Sequence, residues 1–571
     1  MTPDASPNAA PEPTGPAPAP GEMPPGVRAR RRSMGRYALV ALIVALGATS
    51  ASAGRAAGPG VTDILSVTSN PDSALKLSLA SIEGTPLTLG QAVGAALERA
   101  TSVREAEAAF RAARGAARRE RGVFDPELFA STNRRGEDQP SAPLFSRATV
   151  LHNKETTTSG GARVTLPFGT KVSLSLDAVR FESDSAFSAL SPQYDATGTL
   201  SVRQPLLKGF GPGAWGERSA TIREFEAARA RYEEAVLSVR SVVERAYWDL
   251  YAAERDLAVA RLIREQSSAL LSQAELRNKA GLVGPNQVAN ARVFFAEQEQ
   301  TVLDREESLD RISDQVASLM GTRPPAGSTR YRPTDNPPGS FAVPDQDSLV
   351  ARALDKNHGL KAAERDLAAA RARHVSARWN AYPQLDFIGT LGGKGLAGTP
   401  RDSSFFGGSF GPITPLATTD FGDAWAQTRD RKYPTWSAGL QVTIPLGFRH
   451  GAGERDRMRA EADRAEQQLI AARRALEERV RAGHRELTNS NRRLDAARLG
   501  VDASIEQVRI GVIEYNNGRT TAFELVRLGA DLASAQQRFS QALVRTAKAV
   551  AELRLLTSGD YPGTTGGSSN P

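Results

Sequence analysis

The 571-residue chain carries 72 Lys and Arg against 64 Asp and Glu, a net charge of +8 spread along its length rather than gathered in one stretch. No basic face with interleaved aromatics results, so no nucleic-acid partner is expected. The absence of Cys excludes disulfides, thiolate metal sites and thiol nucleophiles, and the five His stand at no metal-ligand spacing.

Residues 1–27 are rich in Pro and Ala and read as unstructured. The cationic "RARRRSMGR" (28–36), the apolar "YALVALIVALG" (37–47) and the small-residue "ATSASA" (48–53) then form the three parts of a secretory leader. Cleavage is expected after Ala53, with Met23 and Met34 as alternative starts. The apolar run is shorter than the roughly 20 residues a spanning helix needs, and no Cys follows it to carry a lipid anchor. The mature chain is therefore expected to be exported. If it enters a membrane, it does so as strands.

Beyond a flexible segment at 54–85, the chain repeats itself. "QAVGAALERATSVREAEAAFRAARGAARRERGVFDPEL" (91–128) lies over "LVARALDKNHGLKAAERDLAAARARHVSARWNAYPQL" (349–385), with Leu97 over Leu354 and Pro126 over Pro383. Further on, Leu250 lies over Leu487, Gly281 over Gly518 and Leu319 over Leu556. A unit this long, written twice, is a duplication rather than a solenoid. The first copy spans 86–321, a Pro-rich linker 322–344, the second copy 345–557, and a disordered tail 558–571.

Each copy opens with a helix, Leu89–Gly122 in the first, whose start carries a capping box of Thr88 with Gln91. It stops at "FDPEL" or "AYPQL", where Pro moves its predecessor out of the helical region. Strands follow. "KVSLSLDAV" (171–179), "TGTLSVRQ" (197–204) and "SAGLQVTIP" (437–445) alternate apolar and polar residues, which places one apolar and one polar face on a sheet. Trp215, Trp379, Tyr382, Tyr433, Trp436 and Phe448 crowd the helix–strand junctions, as the aromatic girdles of outer-membrane barrels do.

A long helix from Glu217 to Ala280 comes next. Ile222, Phe225, Tyr232, Val236, Val239, Val243, Ala246, Leu250, Ala253, Leu257 and Ala260 recur at a mean near 3.5, a coiled-coil seam. At 1.5 Å per residue it reaches roughly 95 Å. "AGLVGP" (280–285) then breaks it, and a returning helix runs to Met320. The opening and returning helices end to end match the long one, so Gly281–Pro285 is the reversal at the far tip of a helical hairpin, with Pro opening the return. "YNNGRTTAFELVR" (515–527) is its counterpart.

With both tips in place, residues 86–557 resemble the TolC-type outer-membrane efflux family, through "AGLVGPNQVANAR" (280–292), "YNNGRTTAFELVRLGADLASAQQ" (515–537), "FDPELF" and "QPLLKGFG". The resemblance implies an α+β membrane protein with an internal duplication, each half a β-hairpin inserted into long coiled-coil helices. It implies a homotrimer in outer-membrane lipid, with four strands per subunit in one shared transmembrane β-barrel above a periplasmic α-helical tunnel. It implies a passive outer-membrane channel for a tripartite efflux or type I secretion system, not an enzyme and without cofactor. Its tips would dock a periplasmic adaptor joined to an inner-membrane pump; here they are Gly281 and Leu282, and Gly518 and Thr520.

Two acidic gate positions of the family fall on Glu524 and Arg527, so a mixed gate is expected, with Tyr515 reaching Gln287 as a second lock. The sequence departs from the family at "GGARVTLPFGTKVSLSLDAVRF" (160–181), an extra hairpin turning at Pro167–Thr170 that either joins the barrel wall or pairs outside it. Five Met and five His, unclustered, argue against a soft-metal relay. A periplasmic adaptor is the alternative, although it should carry one hairpin rather than two.

Overall fold

The computed structural model describes residues 71–140, 150–185, 188–400, 419–517 and 519–561. The leader and Gly518 lie outside them. In chain order the elements are α1 (Pro71–Ala80), β1 (Thr85–Leu87), α2 (Leu89–Arg99), α3 (Thr101–Gly122), β2 (Glu127–Pro140), β3 (Val150–Thr165), β4 (Lys171–Ser183) and β5 (Leu190–Pro205). They continue with α4 (Pro212–Lys279), α5 (Pro285–Met320), β6 (Tyr331–Pro333), α6 (Gln346–Lys356) and α7 (His358–Asn380). The last are β7 (Gln384–Pro400), α8 (Phe421–Arg429), β8 (Tyr433–Thr443), α9 (Arg449–Asn516) and α10 (Ala522–Leu556).

The duplicated order is present, and the capping box at Thr88 and Gln91 forms. The opening helix is not continuous, however. Ala100 turns extended (φ −57°, ψ 123°) and divides it into α2 and α3. Its counterpart Asn357 takes the same conformation (φ −58°, ψ 123°) between α6 and α7. There the Asn357 side chain accepts from Leu360 N–H at 2.9 Å and donates to the Leu556 carbonyl at 3.1 Å, which repairs the broken helix ends. Ala100 has no such side chain, which is why helical pattern alone did not reveal the break.

The long helices are each 68 residues, about 100 Å. Pro212 opens α4 five residues before the expected start, since its fixed φ suits the first turn. Between its ends, α4 packs on α3 and α5 to one side and on α7 and α10 to the other, while α9 packs on α7 and α10. The helices thus lie side by side as α3 and α5, then α4, then α7 and α10, then α9. One core joins Val243, Leu250 and Leu257 of α4 to Leu309 and Val316 of α5 and Val544 of α10. A second joins Leu476, Val480 and Leu487 of α9 to Leu349 of α6 and Leu553 of α10. Buried Tyr561, just past α10, extends it by donating to the Ala342 carbonyl at 2.8 Å.

A two-stranded parallel ladder of β1 and β6 ties the start of the first copy to the linker. The other strands form one antiparallel sheet in the order β2-β3-β4-β5-β7-β8. The extra hairpin is β3–β4, and it is built into this sheet. The sheet therefore holds six strands, not the four that the resemblance implies, and the first copy supplies two hairpins rather than one. The reason lies in the sequence: Val164 and Ala162 on β3 stand opposite Val172 and Leu174 on β4, so the added strands continue the alternation of β5.

Candidate functional site

Register makes the two faces of the sheet explicit. Val172, Leu174, Leu176 and Ala178 on β4 face Val202, Leu200, Gly198 and Ala196 on β5. Leu200 meets Leu391 on β7, which meets Trp436 on β8; beside it Phe387 meets Leu440 and Leu385 meets Val442. This face is apolar yet open: Trp436 is 77% exposed and Leu440 67%. The opposite face carries Ser173 against Ser201 at 2.6 Å, Thr390 against Ser437 at 2.6 Å, and Arg203 Nε donating to buried Asp386 at 2.7 Å. Across β4, β5, β7 and β8 one face is thus apolar and the other polar and hydrogen-bonded, suited to lipid on one side and water on the other. β2 and β3 continue the apolar face only as far as Leu128, Ala130, Ala162 and Val164, and then carry Thr132 on Thr158 and Asp138 on His152.

Aromatic side chains mark both ends of the strands. At the end joined to the long helices, Phe210, Trp379 and Tyr382 pack edge to face, at 6.1 and 6.0 Å between ring centres. Tyr433 and Trp436, which the sequence groups with that cluster, open β8 at the opposite end, where Tyr194 packs on Phe421 of α8 at 6.4 Å. The 11 residues of β8, at about 3.3 Å each and tilted by about 40°, separate the two rims by roughly 28 Å. That matches the height of an outer-membrane apolar band.

α8 lies on the apolar face at the far rim. A Cβ on Gly395 would come within 1.9 Å of the Ala424 carbonyl, and one on Gly393 within 2.7 Å of that of Thr428, so only glycine admits the helix there. Among the described residues no helix is long and apolar enough to cross a membrane, and no cluster of His, Asp and Glu is arranged to hold a metal ion.

At the first tip Gly281 adopts φ 73° with open space where a Cβ would stand, and Leu282 is 75% exposed. Asn278 Nδ2 donates to the Val283 carbonyl at 2.8 Å and closes the turn, and Pro285 opens α5. Thr520 stands partly exposed in the second tip. Next to it Thr521 caps α10, its hydroxyl accepting from Glu524 N–H at 3.2 Å. Sequence reasoning passed over Thr521, although Thr with Glu three residues on is a helix-start signature.

Arg527 and Glu524 share a helix face at 3.8 Å, both well exposed. A groove of about 470 Å³ runs between the tips, and Gln287, Phe294, Arg277 and Thr521 share its lining. Among the described residues no hydrogen bond joins Tyr515 to Gln287. The structure thus brings Gln287 beside Thr521 of the second tip and pairs Glu524 with Arg527.

The sequence matches the family described as Outer membrane efflux protein over residues 92–322 and 349–559. Among curated proteins it is 28% identical to the fusaric acid resistance protein FusA of Burkholderia cepacia over 208 residues, 36% of this chain and 38% of that one. It is 25% identical to the pyoverdine export outer membrane protein OpmQ of Pseudomonas aeruginosa over 287 residues, 49% of this chain and 52% of that one. The chain spans about half or less of the length of these curated relatives.

In fold it is similar to the outer-membrane channel OprN, with TM-score 0.55 and 20% identity over 82% of this chain and 90% of that one. The open-state MtrE outer membrane channel of Neisseria gonorrhoeae gives TM-score 0.55 and 17% identity over 82% and 89%. The family match covers both copies of the duplication, which a one-hairpin adaptor would not provide. The chain belongs to the outer membrane efflux protein family and resides in the outer membrane.

Proposed function

We propose that the chain is the passive outer-membrane conduit of a tripartite efflux or type I secretion system. Three copies close one barrel, their helices form a periplasmic tunnel, and the tips around Gly281, Leu282, Gly518 and Thr520 dock a periplasmic adaptor joined to an inner-membrane pump. One observation carries this reading. Among the described residues the sheet ends in two unpaired edges, β2 and β8, and its strands from β4 to β8 have an apolar and a polar face. A strand edge in hydrocarbon leaves its N–H and C=O groups unsatisfied, at several kcal/mol each, so the wall requires further copies. The domain limits follow the duplication: two channel-forming copies at 86–321 and 345–557 joined by the 322–344 linker.

The gate is mixed. Glu524 and Arg527 of three copies bring carboxylates and guanidinium groups one helical turn apart around the pore axis, and cation preference is correspondingly weak. Relatives named for fusaric acid resistance and for pyoverdine export favour small organic cargo over a secreted protein.

Native mass measurement of the detergent-extracted protein is expected to give a trimer; a monomer overturns the shared barrel. Gly281→Trp is expected to abolish efflux while trimer and outer-membrane level stay unchanged. Efflux that survives the change moves docking away from this tip.

A further inference from the structure

We propose that all six strands, the β3–β4 hairpin included, form the transmembrane wall, and that a second copy of this chain completes each wall segment by laying its β2 along β8. The inference rests on the channel reading above and goes beyond it in naming the seam and the width of the barrel.

Three observations carry it. The first is phase. β3 and β4 pair without interruption from Asn153–Ser183 to Thr165–Lys171, and β4 pairs β5 from Lys171–Arg203 to Phe181–Gln193. A hairpin lying outside the wall would have no reason to place Ala162 and Val164 of β3 and Val172, Leu174 and Leu176 of β4, its half nearer the helices, on the face used by β5, β7 and β8. At 16 and 13 residues, both strands also exceed the 9–11 that a tilted spanning strand needs.

The second is direction. β2 leaves the end of α3 and β8 runs back into α9, so the two edge strands point opposite ways. β8 of one copy beside β2 of the next therefore continues the antiparallel order, which an even number of strands per copy permits.

The third is the treatment of edges. Beyond Lys394–Tyr433, β7 overhangs β8, and the chain covers the overhang itself. The Gln427 amide donates to the Leu396 carbonyl at 3.1 Å, and its oxygen accepts from Leu396 N–H at 3.2 Å. Thr419 Oγ1 likewise accepts from Gly398 N–H at 3.0 Å. Among the described residues no such cover lies along β2 or β8, and almost every residue of both is exposed.

The occupant is a strand, because neither lipid nor isolated water can satisfy a row of backbone groups in hydrocarbon. The helices give the same two borders: α3 and α5 on the β2 side, α9 on the β8 side. One neighbouring copy therefore covers both layers. Three copies make eighteen strands rather than twelve, and barrel diameter grows about linearly with strand number, so the wall is about half as wide again. Selection of cargo then falls to the tips rather than to the barrel.

The cysteine-free chain makes the seam directly readable. In the full-length protein, Ser437→Cys on β8 is combined with Ser131→Cys or Asn133→Cys on β2, and separately with Ser173→Cys or Ser175→Cys on β4. Oxidation is expected to convert most of the β8–β2 variants into covalent dimers and trimers, and to leave the β8–β4 variants monomeric on a non-reducing gel. A ladder from β8–β4 pairs makes β4 the edge of the wall, leaves β2 and β3 outside it and overturns the proposal. No ladder from any pair, in protein that native mass shows to be trimeric, overturns it as well. A monomer by native mass instead removes the shared barrel itself.

In a second arm, residues 150–183 are excised and the outer mouth is sized with polyethylene glycols of graded radius. The largest polymer that enters should shrink by about one third, in proportion to strand number. An unchanged cut-off overturns the proposal, and the disulfide arm decides the case if the shortened chain does not assemble.

Discussion

The two 68-residue helices hold the same place in their repeats, yet α4 is surrounded and α9 is not. Both keep the seam of Val243, Leu250 and Leu257 or its equivalents Val480, Leu487 and Leu494, and all six are buried. They part on the other faces. α4 adds Tyr247, Trp248 and Leu262, all buried, where α9 has His484, Arg485 and an exposed Leu499. A helix that is apolar all round is interior, and one with a single apolar stripe lies at a border. Duplication supplied two equal rods, and the side chains beyond the shared seam made one the centre of the chain and the other its margin.

The matched pair Leu262 and Leu499 gives the largest contrast, at 8% and 70% exposure. Leu262→Asp puts a carboxylate into the core, at a cost of about 3–5 kcal/mol, and should remove the protein from the outer membrane. Leu499→Asp should leave the chain folded by circular dichroism but yield monomer by native mass. A trimer that persists would assign this face of α9 to water rather than to the neighbouring copy.

Carboxylates sharpen the same comparison through pH. Burial raises Glu254 on α4 above 4.5, with Arg332 at 2.7 Å opposing it, whereas the hydrogen bond from Arg545 lowers Glu486 on α9 below 4.5. The folded chain thus holds the Glu254 proton more tightly than the unfolded chain. Its contribution is full below 4.5 and is lost as pH rises through the folded value. The Glu486 contribution is present above 4.5 and is lost as pH falls through its lowered value. Unfolding midpoints measured from about pH 3 to 8 should decline less above 4.5 in Glu254→Gln and fall less on the acid side in Glu486→Gln, other shifted carboxylates such as Asp256 and Glu506 keeping part of each limb.

The smallest effect on stability is expected at the tip. The exposed Arg527–Glu524 pair contributes only a few tenths of a kcal/mol, so Arg527→Asp should barely move the midpoint. Planar-bilayer currents should nonetheless become more cation-selective and sensitive to millimolar divalent cations. Unchanged currents would leave the pair as a surface contact.

What could be read along the chain was whatever depends on near neighbours. The alternation in 171–179 and 437–445, the capping box at Thr88 and the Gly281–Pro285 reversal are all local, and each stands in the structure, as does the 3.5 period from Val243 to Ala260; nearer the strands the buried positions are Ala227 and Ala230 instead of Phe225 and Tyr232. Duplication was legible for the same reason, since it compares one stretch with another.

Tertiary structure decided what depends on distant partners. The break at Ala100 leaves no side-chain signal, the rims of Tyr433 and Trp436 follow from strand direction, and burial separates Leu262 from Leu499 although both are leucine on equivalent turns. At the tips, Gln287 and Thr521 line one groove only because α4, whose Leu270, Gln273 and Ala274 share the lining, packs on both α5 and α10, which come from different copies of the repeat. The place of β3–β4 was decided in the same way. Alternation states that a strand has two faces, but only pairing to β2 and β5 states which sheet it joins, because backbone hydrogen bonds carry no mark in the sequence.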